Sequence, residues 1–250
     1  MMGRVIDIHD IGVSVPYLPC LELQERLRNL RSLNLIANKL LLLEHEPTIT
    51  LGRNSSNEDL LIDEPSEKES SPLSSTDIPI VQCNRGGGAM LHLPGQAVAY
   101  VIVHLKEAGF DVMQFLYALE VSMMKALSMW RINAVRLGNH RGAWVFVDGK
   151  WRKIGFVGLA VKRWVSMHGI AVNVAVDLSM FRLLKTCKLP CDVIYDMGSV
   201  LKRTINMGDF KKALAECVAS ALNMTPRFVD GGLDGLLEEV EALEVGSSSG

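Results

Sequence analysis

The sequence predicts an α+β fold that forms one domain over residues 1–245. Segments with a strand pattern and segments with a helix pattern follow one another without the strict alternation of a doubly wound sheet. The chain has 250 residues, of which 48% are hydrophobic and 22% are charged, an ordinary balance for a protein with one core. There is no internal repeat that would divide it further.

Short runs rich in apolar and β-branched residues predict the strands. Near the N-terminus, Val5, Ile6 and Ile8 form an alternating pattern. The other predicted strands are 40–51, divided in two by a turn at Pro47, and 78–83, 98–105, 143–147, 153–161 and 170–176. Asp148-Gly149 lies between two of these strands and is a hairpin turn signal.

Apolar residues at helical spacing predict the helices, and two other stretches have no periodicity. The predicted helices are 21–39, 112–130, 208–222 and 233–243. Residues 63–76 are rich in Glu, Ser, Pro and Lys, which predicts a mobile surface loop. Residues 246–250 contain only Gly and Ser, which predicts a frayed tail.

Charge and cysteine content narrow the classes of function. The net charge of −2 gives no electrostatic reason to expect nucleic acid or an anionic membrane as a partner. No apolar run approaches the roughly 18 residues that a membrane span needs, and the N-terminus has no signal-peptide pattern. Five scattered cysteines indicate a reducing compartment. That compartment would be the cytoplasm in a bacterium, or a mitochondrion or plastid in a eukaryote.

A glycine-rich segment, Arg85-Gly-Gly-Gly-Ala-Met-Leu-His92, follows the predicted strand at 78–83. Consecutive glycines permit positive φ and let a ligand approach backbone amides, so the segment could bind a phosphate, a carboxylate or an acyl carbonyl. Alternatively, it could be only a tight turn. The arginine before it and the His and Pro-Gly-Gln after it favour binding. It matches neither the phosphate loop nor the dinucleotide fingerprint.

Lys153 and His168 are candidate functional residues whose ordinary roles are structural. Lys153 begins an apolar strand, where a solvated strand end is the common role. Burial beside a substrate would alter its proton affinity and suit it to acid–base chemistry. His168 precedes a predicted strand and, taken alone, is more often a structural hydrogen-bonding residue.

Cys187 is a candidate nucleophile because Lys185 and Lys188 flank it, and nearby cations lower the pKa of a thiol. Most single cysteines are nevertheless inert apolar residues. Cys191 follows four residues later, but the sequence has no second pair of ligands, so no metal site is predicted.

Six segments, in a fixed order from about residue 21 to residue 200, resemble the lipoyl(octanoyl) transferase family of lipoate biosynthesis. They are 45–53 (HEPTITLGR), 85–96 (RGGGAMLHLPGQ), 142–145 (GAWV), 152–158 (RKIGFVG), 168–173 (HGIAVN) and 177–182 (DLSMFR). The resemblance implies the fold of biotin- and lipoate-protein ligases, in which helices pack on a mixed sheet.

The resemblance also implies a two-step transfer. Cys187 matches the family's nucleophile and would take an octanoyl group from acyl carrier protein. Lys153 matches the lysine that tunes this thiol and moves protons. The acceptors would be lysines on lipoyl domains of 2-oxoacid dehydrogenase E2 subunits and on the glycine cleavage H protein. No cofactor is implied, because the thioester already carries an activated acyl group.

Three segments match positions that line the family's acyl site, and their amides could stabilise an oxyanion. The substrate-binding residues that this implies are Arg85, Gly86, Gly87, Gly88, Ala89, Met90, Leu91, His92, Phe156, Val157, Gly158, His168, Gly169, Ile170 and Ala171.

The sequence departs from the family pattern at several positions. Met90, Leu91 and Leu93 stand where the family loop has Thr, Tyr and Gly, and Cys187 lacks its usual neighbours. These changes predict altered acyl-chain selectivity. Two alternatives to the transferase stay open: an ATP-dependent lipoate-protein ligase, and a non-catalytic protein that binds lipoyl domains or acyl carriers.

Overall fold

The computed structural model describes residues 5–56, 59–60, 78–184 and 189–247. The predicted mobile loop at 63–76 and the candidate nucleophile Cys187 lie outside these residues. The strands are β1 (Val5–Asp10), β2 (Asn38–Leu43), β3 (Thr48–Leu51), β4 (Ile80–Gln82), β5 (Ala89–His92), β6 (Gln96–Ile102), β7 (Val135–Leu137), β8 (His140–Val147), β9 (Lys150–Lys162), β10 (Val165–Asn173) and β11 (Thr225–Phe228). The α-helices are α1 (Tyr17–Ser32), α2 (Leu105–Ala108), α3 (Val112–Met129), α4 (Met197–Leu201), α5 (Met207–Ala221) and α6 (Gly232–Ser247), and short 3₁₀ helices lie at Leu178–Leu183 and Cys191–Val193.

Eight strands form the main sheet in the order β11-β1-β2-β6-β10-β9-β8-β7. β1 is parallel to both of its neighbours, and the other pairs in the sheet are antiparallel. The sheet is therefore mixed, which confirms the predicted fold class. A second sheet has three strands in the order β4-β3-β5.

The central strands of the main sheet, β2, β6 and β10, are buried on both faces, and β2 shows this most directly. Leu40 and Leu42 pack in the core with α3 and α5, whereas Leu41 and Leu43 pack in a second core with α1, α6 and the small sheet. Because side chains alternate along a strand, a strand covered on both sides needs apolar residues at consecutive positions. The four leucines of β2 meet this need. The small sheet and α1 thus lie on the opposite face from α3.

Local sequence signals account well for α3. Asp111 is its N-cap: the Asp111 carboxylate accepts a bond from the Gln114 N–H, and the Gln114 side chain accepts one from the Asp111 N–H. This capping box satisfies two backbone donors at the start of the helix. The helix ends at Met129, one residue before the predicted end.

The predicted helix at 21–39 is displaced in the structure. Helix α1 begins at Tyr17, directly after Pro16, and ends at Ser32. Asn34 has a positive φ of 58°, which stops the helix, and the chain enters β2 at Asn38. The predicted strand at 170–176 is also shifted, since β10 runs from Val165 to Asn173.

Three strands have no counterpart in the prediction. β5 lies within the segment interpreted as a glycine-rich loop, and β7 has only three residues. β11 contains Pro226 and is exposed along its whole length, which is compatible only with its position at the edge of the sheet. Each of these strands is held by pairing with a partner distant in sequence or by a short hairpin.

Candidate active site

Two cavities meet beside the glycine-rich segment, and we call them the narrow cavity and the wide cavity. The volume of the narrow cavity is about 50 Å³, and that of the wide cavity is about 690 Å³. The narrow cavity is lined by Tyr17, Arg85, Gly86, Gly87, Met90, His92, Val98, Tyr100, Phe156, Val157, Gly158, His168, Gly169, Ile170 and Ala171. The wide cavity is lined by Arg53, Asn54, Gly86, Gly87, Gly88, Val112, Leu116, Asn139, His140, Arg141, Lys153, Val157, Gly158, Leu159, Val161 and Leu189. The cavities adjoin along the four residues that line both: Gly86, Gly87, Val157 and Gly158.

The Arg85 side chain holds the glycine-rich segment against the small sheet. Its guanidinium donates to the carbonyls of Gly86 and Gly88 at 3.2 and 2.8 Å. It also donates to the carbonyl and hydroxyl oxygens of Thr50 on β3, at 2.8 and 2.7 Å. Because most of its donors are used in this way, Arg85 acts mainly as a brace for the segment.

The backbone of the segment is tied to strands on both sides. The Gly86 N–H donates to the Leu159 carbonyl on β9 at 2.9 Å, and the Arg53 N–H donates to the Arg85 carbonyl at 3.0 Å. Of the three consecutive glycines only Gly87 has a positive φ, 91°. The segment therefore forms a fixed rim between the two cavities.

A cluster of aromatic and histidine rings forms one wall of the narrow cavity and the core behind it. The His45 Nδ1–H donates to the Val15 carbonyl at 2.7 Å, so its Nε2 accepts the bond from the Tyr100 hydroxyl, also 2.7 Å long. The Tyr17 ring centroid lies 5.1 Å from that of His45 and 5.6 Å from that of His92. These contacts fix both the ring positions and the neutral tautomer of His45.

His168 occupies a strained position on β10. Its φ is +61°, which is uncommon for a residue with a side chain. The His168 N–H donates to Gln24 at 2.9 Å, and its Nε2 is 2.8 Å from the Asn84 side-chain oxygen. Its Nδ1 is buried without a hydrogen-bond partner among the described residues.

Burial keeps the rings of this wall uncharged at neutral pH. It lowers the pKa of His45 to about 4 and that of His168 to about 3, where the Arg85 guanidinium adds to the effect. It also holds the pKa of His92 well below the ordinary value. The pKa values of the Tyr17 and Tyr100 hydroxyls are raised, again mainly by burial. The wall thus presents polar atoms but no ionised rings.

A β-bulge aims Lys153. Ala143 on β8 pairs with Gly155, yet the next residue, Trp144, pairs with Lys153. β9 therefore has one extra residue, Ile154, at this point. Such a bulge re-aims the side chains on either side of it.

The bulge places the Lys153 Nζ beside two aromatic rings. Its Nζ lies 5.5 Å from the Trp144 ring centroid and 5.1 Å from that of Phe156, within the range of a cation–π contact. Only 4% of Lys153 is exposed. The Tyr195 N–H donates to the Lys153 carbonyl at 2.9 Å, which brings the chain after Leu189 onto this part of the sheet. Lys153 lines the wide cavity and its neighbour Phe156 lines the narrow one.

Gly142 leaves the room that the Lys153 stem occupies. It has a φ of +105°, and a Cβ at this position would lie 3.1 Å from the Lys153 Cε. The Gly142 N–H donates at 2.8 Å to Glu120, a fully buried carboxylate on α3. The other Glu120 oxygen is 2.9 Å from Arg136 and 3.4 Å from Arg141. α3 therefore braces the backbone against which Lys153 packs.

The structure brings most of the predicted substrate-binding residues together around the narrow cavity. Those that line it are Arg85, Gly86, Gly87, Met90, His92, Phe156, Val157, Gly158, His168, Gly169, Ile170 and Ala171. Gly88 lines only the wide cavity. Ala89 and Leu91 line neither, because side chains alternate along β5 and theirs point into the second core. Cys187 lies outside the described residues.

Sequence reasoning missed three residues of the narrow cavity: Tyr17, Val98 and Tyr100. Val98 and Tyr100 are two positions apart on β6, so strict alternation within the apolar run could have placed them on one face. Tyr17 is the first residue of α1, and nothing local connects it to β6.

Within the described part of the chain, no three His, Cys, Asp or Glu side chains come together as metal ligands would. In the same residues, no helix combines the length and the apolar composition needed to cross a membrane.

Comparison with known proteins agrees with this architecture. A family model described as the lipoyl protein ligase A/B catalytic domain matches residues 16–219. An octanoyltransferase of Syntrophobacter fumaroxidans is 37% identical over 194 residues, which cover 78% of this chain and 81% of that protein. An octanoyltransferase of a Roseiflexus species is 34% identical over 227 residues, covering 90% of this chain and 91% of that protein.

Among solved structures, the bipartite lipoate protein ligase of Thermoplasma acidophilum superimposes with a TM-score of 0.67. The match covers 96% of this chain and 91% of that chain at 14% sequence identity. At that identity the likeness shows the fold alone, which is that of a lipoate-protein ligase.

Proposed function

Because this chain belongs to the lipoyl protein ligase A/B catalytic domain family, we propose that it transfers an octanoyl group from acyl carrier protein to a lysine of a lipoyl domain, through a thioester on Cys187. The observation that carries the proposal is the junction of the two cavities, where a buried lysine lies on one side and a narrow, mainly apolar cavity on the other. An acyl thioester lying across that junction would have its alkyl chain in the narrow cavity and its carbonyl at the shared glycines.

The first step would be a thioester exchange. The Cys187 thiolate attacks the octanoyl carbonyl, the bond to the donor sulfur breaks, and a new thioester forms on Cys187. For this step Lys153 acts as the neutral amine: it takes the proton of the Cys187 thiol, becomes the ammonium, and gives that proton to the departing donor thiolate. Leu189, two residues after Cys187 in the sequence, lines the wide cavity beside Lys153, which supports this pairing.

The second step would be aminolysis. The neutral amine of the acceptor lysine attacks the thioester on Cys187, an amide forms and the Cys187 sulfur leaves. Lys153 takes the excess proton from the amine and returns it to Cys187. The Gly86 N–H is already bonded to the Leu159 carbonyl, so the backbone N–H groups of Gly87 and Gly88 are the candidates on this rim to stabilise the oxyanion in both steps.

Binding of the acyl chain would come from burial of its methylene groups, about 0.8 kcal/mol for each. The walls that contribute Phe156, Val157 and Ile170 supply the apolar surface. Since 50 Å³ is little space for eight carbons, the flexible Met90 side chain must move to admit the full chain.

The departures from the family loop differ in their expected consequences. All three side chains are buried in the second core, but only Met90 also lines the narrow cavity. Leu93 does not have a positive φ, so its backbone is not strained. Of the three substitutions, Met90 is therefore the one through which chain selectivity would change.

Intact-mass spectrometry tests the proposal. Incubation with octanoyl-acyl carrier protein, without ATP, is expected to add one octanoyl group to the wild-type protein, and subsequent addition of a lipoyl domain to remove it. Cys187→Ala is expected to abolish the adduct. Cys191→Ala is the matched control, since Cys191 is a partly exposed cysteine in the same region and should leave the adduct intact.

Two results would contradict the transferase. Absence of any adduct while the carrier protein still binds would indicate a non-catalytic binding protein. Modification of the lipoyl domain by free octanoate only when ATP is present would indicate a ligase.

A further inference from the structure

The wide cavity is far larger than an attacking thiolate and a lysine require, and its lining is cationic. Among the described residues that line it, Arg53, Arg141 and Lys153 are basic and none is acidic. Glu120, a buried carboxylate on α3, pairs with Arg141 at 3.4 Å and also with Arg136 at 2.9 Å. One carboxylate between two guanidinium groups leaves the lining with a net positive charge.

Arg53 and Arg141 belong to different walls. Arg53 follows β3 and its backbone is bonded to the glycine-rich segment. Arg141 is on β8, and its guanidinium also lies 3.8 Å from the sulfur of Met113 in the first turn of α3. Arg53 is exposed, and no carboxylate of the described residues is within ion-pair distance of it. Its guanidinium is therefore free to bind an anion.

Between these arginines the floor is apolar. Val157, Leu159 and Val161 of β9 form it, and Val112 and Leu116 of α3 add to its side. Val112 is 40% exposed, whereas other apolar residues of α3 are buried in the core. Asn54 and Asn139 also line the wide cavity, so it fits an extended chain with apolar and amide parts that ends in an anion.

We infer that the wide cavity binds the prosthetic arm of the donor, an amide-containing chain, with Arg53 contacting the phosphate at its far end and Arg141 adding positive charge on the other wall; this rests on the proposed function. The junction at Gly86, Gly87, Val157 and Gly158 orients the donor, with the acyl group on one side and the arm on the other. Guanidinium groups suit this role because their planar donors match two phosphate oxygens at once.

The test compares three octanoyl donors: the thioester of phosphopantetheine, the thioester of pantetheine without phosphate, and the whole carrier protein. Initial rates of adduct formation on Cys187 give KM for each. The wild-type protein is expected to have a KM about tenfold lower for the phosphorylated than for the unphosphorylated small donor, as one charge-assisted contact would give.

Arg53→Gln is expected to remove most of that difference, raising KM for the phosphorylated donor about tenfold and for the unphosphorylated donor less than twofold. Arg203→Gln is the matched control, since Arg203 is exposed and lines neither cavity. Calorimetric binding of phosphopantetheine against pantetheine, with no acyl group, measures the same discrimination without turnover. Arg141→Gln should weaken phosphopantetheine in that assay as well.

The inference is overturned if the wild-type protein does not distinguish the two small donors, or if Arg53→Gln affects both equally. It is also overturned if Arg53→Gln weakens only the whole carrier, because Arg53 would then contact the carrier's protein surface. Failure of the proposed function gives a different result: no donor produces an adduct on Cys187, whatever the calorimetry shows.

Discussion

The narrow and wide cavities share four lining residues, but the polar side chains around them differ in whether they are hydrogen-bonded within the protein. Around the narrow cavity, His45, His92 and Arg85 are occupied by hydrogen bonds within the protein, and the rings stay neutral. Around the wide cavity, Arg53 is exposed and the Lys153 Nζ lies at the wall beside two aromatic rings. The rings on the narrow side of the rim are therefore neutral, whereas the wide side carries basic side chains that can attract an anion.

The largest expected effect comes from replacing Lys153, which lies beside the junction of the two cavities. Lys153→Ala should slow formation of the Cys187 adduct by roughly 10²- to 10⁴-fold, the usual contribution of a positioned acid–base group. Binding of the carrier protein should remain nearly intact. Rapid-quench mass spectrometry measures the rate, and calorimetry the binding.

Lys150→Ala is the matched control, because Lys150 is an exposed lysine three residues earlier on β9. Unchanged adduct kinetics in Lys153→Ala would remove the proposed proton-transfer role and leave Lys153 as a structural cation.

The next effect concerns the size of the narrow cavity. Met90→Ala should enlarge it and raise kcat/KM for a decanoyl donor relative to an octanoyl donor by about tenfold, because two further methylenes would be buried. Competition between the two donors, read by the mass of the adduct, measures the ratio directly. Leu91→Ala should destabilise the protein without altering the ratio, since Leu91 packs in the core. An equal change of selectivity in both variants would show that the narrow cavity does not hold the acyl chain.

The smallest effect is the pH dependence of stability that follows from the neutral rings. The pKa of His45 is lowered to about 4, below the ordinary 6.5, so the folded state resists a proton that the unfolded chain accepts. Its stabilising contribution is complete above about pH 6.5 and is lost as the pH falls towards 4. His45→Gln should therefore reduce the loss of unfolding free energy between pH 7.5 and 5.5 by about 1 kcal/mol.

Urea titrations at the two pH values measure that difference. His140→Gln is the control, since His140 is exposed and should leave the pH-dependent loss unchanged. An identical loss in His45→Gln and the wild-type protein would mean that His45 is protonated in the folded state.

Elements with strong local signals were predictable, and elements that depend on distant partners were not. α3 has a capping box at Asp111 and regular apolar spacing, and its predicted and observed bounds differ by one residue. β11 contains Pro226 and has no buried residue, so only its parallel pairing with β1 makes it a strand. The start of α1 also depends on a distant partner. The helix begins at Tyr17, earlier than predicted, and the Tyr17 ring packs against His45.

The sequence by itself determined the α+β class, the glycine-rich segment and the candidacy of Lys153, since these depend on residue type and local order. Only the tertiary structure decided that Lys153 is buried between Trp144 and Phe156, because that position needs a bulge in β9 and the space left at Gly142. It also decided that Met90 faces a cavity while Leu91 faces a core. A strand exposes alternate residues to its two sides, and what lies on each side is set by segments far away in the chain.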